Sequence, residues 1–240
     1  MNARVTRPAD RRRRKPTKQG VVLSRELIVE TALRLIEHHG AEALSVRRLG
    51  HAVGCDPSSI YRYFHHTDDL MLAVTDALIG RTVAQWVPTG DWRSDLRDIG
   101  LRVHATALAS PHASALTSHR VTAGPHEVTA VEAILGVLRR AGFPDGDAVR
   151  IYHAFIDQAL AFGALDSASA TLSAASRDAE AQAWRTTYAR LPAATHPNIA
   201  AASRHLIESM PQSSYPAALD MLLDATEAQL HALGPRPNVR

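Results

Sequence analysis

Cysteine, lysine and long apolar runs are what this 240-residue chain has little of. Its single cysteine, Cys55, excludes an internal disulfide and a thiolate zinc centre. No apolar run approaches the roughly 18 residues that a membrane-spanning helix needs. The N-terminus is basic, but no apolar stretch adjoins it, so it does not read as a secretory signal, and a cytoplasmic location is expected. Strand-forming residues are not gathered in alternating runs. Ala and Leu dominate instead, which is the composition of an all-α protein. Enzyme signatures are missing too: there is no GxGxxG, no phosphate loop and no GxSxG elbow. No catalytic residue and no cofactor is therefore assigned.

The scarcity of lysine sharpens the charge pattern. Lys15 and Lys18 are the only two, and both lie in a short N-terminal stretch with Arg4, Arg7, Arg11, Arg12, Arg13 and Arg14. Against Asp10 alone, these give residues 1–20 a charge of +7, so the other 220 residues sum to −4 although the whole chain is +3. Residues 1–20 read as a disordered basic arm that tracks phosphates or enters a minor groove. The plainer alternative is a solvated tail. Such an arm adds affinity more than specificity.

The stretch from Ser24 to Ile79 organises the rest. Ser24 is placed to cap a helix in which Leu27, Ile28, Ala32, Leu35 and Ile36 share a face, and Gly40 is placed to end it. Ser45 caps a second helix with Val46, Leu49 and Val53 inward. Gly54 and Cys55 make a turn, Asp56 caps, and Pro57 opens a third helix that runs to Phe64 and buries Ile60 and Phe64. A short Gly-containing turn between two such helices is a helix-turn-helix. The third helix can offer Pro57, Ser58, Ser59, Tyr61 and Arg62 to a major groove, while Ser45, Arg47 and Arg48 on the second reach phosphates. Thr67 is expected to cap a fourth helix, with Asp68 and Asp69 in its first turn.

At these residues the sequence resembles the tetracycline-repressor (TetR) family of transcriptional regulators. The match lies in the first helix ending at Gly40, the run Leu44-Ser45-Val46-Arg47-Arg48-Leu49, Val53-Gly54, the run Ser59-Ile60-Tyr61-Arg62-Tyr63-Phe64, and Asp69-Leu70. The resemblance implies an all-α homodimer, with one DNA-binding head per subunit at residues 21–66 and a C-terminal effector-binding and dimerisation body at 67–240. It also implies that Tyr63 contacts a phosphate. One position departs from the family. Many members carry a lysine at the start of the fourth helix, whereas this chain has Thr67 preceded by His65 and His66. The expected contacts there are the Thr67 hydroxyl, a backbone N–H or a protonated His65 or His66, weaker than in the family or replaced by the N-terminal arm.

Beyond the head, helical pattern is read over residues 67–84, 92–109, 112–122, 127–140, 147–165, 176–190, 198–210 and 216–233, separated by Gly and Pro breaks. The 147–165 helix has two adjacent apolar stripes and so needs two partners. His104, His119, Tyr152 and Phe155 are the expected contacts for a small-molecule effector in a largely apolar pocket. No metal site is expected among the 13 histidines. His112, His119 and His126 are spaced to align on a helix, but Pro111, Gly124 and Pro125 interrupt it. His38-His39 and His65-His66 are neighbours that point to different sides. Cys55 has a structural place in the turn, and Asp56 beside it gives no reason for a reactive thiolate.

Together these features predict a ligand-responsive regulator, most simply a repressor, that binds a pseudo-palindromic DNA site as a dimer and is released by a small molecule. Two other classes compete with it: a sequence-nonspecific DNA-binding protein driven by the basic arm, and an α-helical enzyme with a vestigial head.

Overall fold

The computed structural model of the protein describes residues 22–40, 44–117, 120–210 and 212–234. The arm at 1–20 and His119 lie outside them. The described residues form ten α-helices and one 3-10 helix. The chain divides into two compact units, Met1–Leu70 and Met71–Arg240.

In the first unit, α1 (Arg25–His39) opens on the cap expected of Ser24, whose Oγ accepts the Leu27 N–H at 3.1 Å. Its buried apolar residues are Ile28, Val29, Ala32, Leu33 and Ile36. The buried face is therefore rotated from the expected one: Val29 and Leu33 replace Leu27 and Leu35, which are half-buried. Two partners explain this, because Leu49 and Val53 of α2 (Val46–Val53) share the core with Ile60 and Phe64. Gly54 ends α2 in the left-handed conformation, at φ 74° and ψ 32°, which favours glycine.

The third element of this unit is tighter than the sequence suggested. Pro57–Arg62 is a 3-10 helix rather than an α-helix running to Phe64. The Ser59 N–H donates to the Asp56 carbonyl at 2.9 Å, and the Tyr63 N–H to that of Ile60 at 2.9 Å. Six residues held between an Asp cap and a buried Phe64 close as two tight 3-10 turns rather than as a regular helix.

The next helix, α3 (Thr67–Val83), runs through the division between the two units. In the second unit, α4 (Trp92–Ala109) starts at Asp91, whose carboxylate accepts from the Arg93 and Ser94 N–H groups. After it come α5 (Pro111–Thr117), α6 (Pro125–Ala141), α7 (Asp145–Thr171), α8 (Ala174–Tyr188), α9 (Pro197–Ser209) and α10 (Tyr215–Ala232). Leu96 and Ile99 of α4, Ile134 and Leu138 of α6, Ile151 and Phe155 of α7, and Tyr215 and Leu219 of α10 form one core. By contrast, no residue of α8 or α9 is buried.

Two boundaries differ from expectation for tertiary reasons. Helix α7 continues past Leu165 to Thr171, because its last turns are tied to α4. Ser167, fully buried, donates to the Ala107 carbonyl at 2.9 Å, and Asp166 bonds His104 at 2.7 Å. Helix α6 begins at Pro125 rather than Glu127, and its first turn is capped from another helix. Asp76 of α3 accepts the Glu127 N–H at 3.0 Å and the His126 N–H at 3.1 Å. No helix among the described residues is long and apolar enough to cross a membrane.

Candidate nucleic-acid interface and ligand cavity

In the first unit, Ser45 caps α2 by accepting the Arg48 N–H at 3.2 Å. A hydroxyl that accepts at its oxygen still carries a proton to donate. Ser45, Arg47 and Arg48 are exposed and line one concavity with His39 and His51. Cationic groups are thus gathered at the positively polarised end of a helix, which is where a phosphate is best received.

The 3-10 helix follows at once. Gly50 permits its approach, since a Cβ there would lie 3.0 Å from the Pro57 Cα. Pro57 therefore acts as a packing contact that sets the helix against α2. Ser58 gives both its hydroxyl (2.6 Å) and its N–H (2.8 Å) to Asp56 Oδ1. These bonds, the hydroxyl's foremost, hold the Asp56 carboxyl below the usual carboxylate range. With its proton spent, Ser58 faces outward as an acceptor. Tyr61, 54% exposed, and Arg62 are the large side chains presented to solvent, while Ser59 is half-buried.

Tyr63 is placed differently from the resemblance's implication. Its phenol donates to the Leu23 carbonyl at 2.7 Å, which spends its only proton inside the unit. Its own carbonyl accepts from Arg25 Nη1 at 3.0 Å, and the Arg25 guanidinium lies 4.2 Å over the Phe64 ring. Tyr63 and Arg25 thus buckle the start of α1 to the end of the 3-10 helix. The sequence reading missed Arg25, whose partners lie 38 or more residues away.

Thr67 is also corrected. It is the first helical residue of α3 and not its cap. Asp69 reaches back so that Oδ2 accepts the N–H groups of His65 (3.1 Å) and His66 (3.2 Å). Those two donors are engaged by a carboxylate, so the exposed Thr67 hydroxyl and the two imidazoles are what this corner offers a phosphate. In the turn, burial and then Asp56 push the Cys55 thiol up, away from a reactive thiolate.

The second unit holds an apolar cavity of about 110 Å³. Helix α3 supplies Leu78, Ile79, Thr82 and Val83, and the rest of the wall comes from α4, α5, α6 and α7, including Val103, Ile134 and Ile156. Among the described residues, those that line it include no charged side chain and no histidine.

None of the described residues expected to bind an effector lines this cavity. His104 stacks on Tyr215, with ring centroids 4.8 Å apart, and bonds Asp166, which also accepts from Ser213. It joins α4, α7 and the start of α10 and is satisfied there. Phe155 is 1% exposed and belongs to the core. Tyr152 is half-buried, its phenol pushed up by burial and by the Glu127 and Asp157 carboxylates. Polar or aromatic character marked these residues in the sequence, whereas the cavity wall is made of ordinary core types. No group of three His, Cys, Asp or Glu among the described residues could hold a metal ion.

Two family descriptions match the chain. Residues 28–74 match "Bacterial regulatory proteins, tetR family", and residues 87–230 match "Tetracyclin repressor-like, C-terminal domain". The chain belongs to the TetR family. Within it, an HTH-type transcriptional regulator of Saccharopolyspora erythraea is 29% identical over 141 residues, covering 59% of this chain and 58% of the relative. An HTH-type transcriptional repressor of Mycobacterium tuberculosis is 30% identical over 155 residues, covering 62% and 58%. The chain thus matches less than two thirds of the length of these curated relatives. Among solved structures, apo ActR from Streptomyces coelicolor shares the fold at a TM-score of 0.76, with 21% identity over 88% of this chain and 98% of that one. ActR has also been solved in complex with actinorhodin. The TetR family match divides the chain much as the structure does, with one description on the helix-turn-helix and another on the body.

Proposed function

We propose that this chain is a ligand-responsive, DNA-binding transcriptional regulator, a cytoplasmic repressor that binds a pseudo-palindromic operator as a homodimer and leaves it when a small molecule enters the body. The observation that carries the reading is the geometry of the first unit. Arg62 and Tyr61 stand exposed on a short helix that Gly50, Gly54 and the Asp56 cap fix against α2. Ser45, Arg47 and Arg48 stand exposed at the start of α2 itself. That is base readout beside phosphate anchoring. Ser58 adds an acceptor, Thr67 and His65 a neutral or weakly charged flank, and the arm at 1–20 further phosphate contacts.

The homodimer rests on the family and on α7 and α10. Along its outer side α7 shows Val149, Ala154, Ala161 and Leu165, and α10 shows Ala217, Met221 and Ala228. Small and apolar exposed residues on two packed helices suit close helix contact with a second copy. Two-fold symmetry in the protein then matches two-fold symmetry in the site. The similarity to a Mycobacterium tuberculosis repressor supports repression, and the ActR complex with actinorhodin supports a small-molecule effector.

Selection from a random duplex library with full-length protein at near-physiological salt tests the reading. An enriched inverted repeat is the expected result. Retention of duplex without sequence preference would instead leave arm-driven nonspecific binding. Leu165→Glu or Met221→Glu, examined by sedimentation, should yield monomers with weakened operator binding.

A further inference from the structure

The wall of the body cavity selects a chemical class of ligand. We propose that it takes a small, neutral, predominantly apolar molecule of about the size of one substituted aromatic or alicyclic ring, carrying at most a hydroxyl or similar uncharged polar group. This deepens the regulator reading and rests on it for biological meaning, but not for its test.

Three observations carry the assignment. The first is charge. Among the described residues, the side chains lining the cavity include no Arg, Asp, Glu or His, so a carboxylate or an ammonium entering it would lose its hydration without gaining a partner. The second is the polar inventory. Thr82, Thr106 and Ser114 contribute hydroxyls and nothing stronger. Thr82 Oγ1 lies 3.1 Å from the Leu78 carbonyl and 3.0 Å from Thr106 Oγ1, so the threonine pair is already mutually bonded and demands little of a guest. Such a pair tolerates one added hydroxyl and offers no geometry for a planar bidentate ion. The third is size. About 110 Å³ is of the order of the roughly 150 Å³ apolar cavity known to accept a single benzene ring. A multi-ring ligand would require the helices to part.

The same wall says what occupancy does. Leu78, Ile79, Thr82 and Val83 lie on the last turns of α3, the helix whose first turn belongs to the DNA-binding unit. A guest therefore touches this helix directly. No relay of intervening side chains is needed for a guest to bias its position.

Isothermal titration of the full-length protein, without DNA, against toluene, p-cresol and benzoate tests the class. The three probes share a ring and differ in polarity and charge. Toluene and p-cresol should bind, and benzoate at neutral pH should bind at least tenfold more weakly. Ala130→Phe on α6 and Ala164→Phe on α7 each put a ring into the cavity from a half-buried position. Each should weaken p-cresol at least tenfold while keeping a cooperative thermal transition and wild-type helical circular dichroism. The two variants are independent, so misfolding of one leaves the other as the test. Binding of benzoate but neither neutral probe would overturn the class. Binding of neutral probes that both filled variants retain would overturn the site. Binding of none of the three would overturn the proposal altogether, while operator selection would still decide the regulator reading separately.

Discussion

The two units of this chain are built for opposite means of recognition. The helix-turn-helix unit buries its apolar core and sets Arg47, Arg48, Tyr61 and Arg62 in water on capped, closely packed helices. The body's candidate recognition surface is internal, where Leu78, Ile79, Val103 and Ile134 border the apolar cavity. A charged polymer can be met at the surface, since salt-dependent attraction acts there and the phosphates remain partly hydrated. A small neutral guest offers only its area and must be surrounded. The first kind of site is therefore built from exposed side chains on one local motif, and the second from core residues of five helices.

The comparison breaks most severely if the body core is opened. Phe155 joins α7 to α4 and α10 and is almost wholly buried, so Phe155→Ala should cost about 3–5 kcal/mol. Chemical denaturation followed by tryptophan fluorescence reads this out, because Trp86, Trp92 and Trp184 all lie in the second unit. A loss below about 1 kcal/mol would mean that the core collapses around the gap, and that the helices lining the cavity are looser than this packing implies.

The next effect is confined to the head. Arg62→Ala should weaken the selected operator by about 1–3 kcal/mol, roughly 5- to 150-fold, and relax the preference at one base position. Arg47→Ala should instead weaken all duplexes alike and reduce the salt slope by about one. Fluorescence anisotropy at several salt concentrations separates the two. If both substitutions changed only the salt slope, base readout would not reside at Arg62.

Legibility in the sequence follows the same division. The caps at Ser24, Ser45 and Asp56 are all seen accepting from nearby N–H groups, because capping acts over two or three residues and a sequence shows such spacings directly. In the head, the contacts that the sequence does not reveal are those whose partner is distant. Tyr63 bonds Leu23 across 40 residues, and Arg25 reaches Tyr63 across 38. In the body, helix existence was legible from Gly and Pro punctuation, but the ends of α6 and α7 depend on Asp76 and on Ala107, which no local pattern reveals. The cavity was illegible for the same reason. Its wall combines side chains from residue 78 to residue 164, each of an ordinary core type. Searching for polar residues found His104, which is already satisfied by Asp166.

Asp76 offers a sharper test of how the body holds α3. The residue is 8% exposed, and its carboxylate accepts from the first turn of α6. Asp76→Ala removes that cap and leaves two part-buried N–H groups without their carboxylate partner, which should cost about 1–2 kcal/mol. Hydrogen exchange should show the loss first at His126 and Glu127. Uniform loosening of the whole unit would mean that Asp76 supports the core in general and is not a specific tie between α3 and α6.

The smallest effect should come from a group that the body buries without satisfying. The Tyr215 side chain is fully buried, and its hydroxyl has no hydrogen-bond partner among the described residues. Burial raises its phenol pKa well above the ordinary value of 10.0. The sign follows from that shift. Below pH 10 the phenol is neutral in both folded and unfolded chains, and its contribution is unchanged. As pH rises past 10, the unfolded chain releases the proton and the folded one does not, so stability falls until the folded value is reached. Tyr215→Phe removes both the unpartnered hydroxyl and this proton. It should leave stability at pH 7 unchanged or raise it by up to about 1 kcal/mol. It should also flatten part of the decline between pH 10 and 11, though not all of it, since the Tyr152 phenol is raised as well. Urea melts of both proteins at pH 7 and pH 10.5 measure this. A variant clearly less stable at pH 7 would show that the hydroxyl has a partner, such as a buried water, and that the body tolerates less unsatisfied polarity than its apolar cavity suggests.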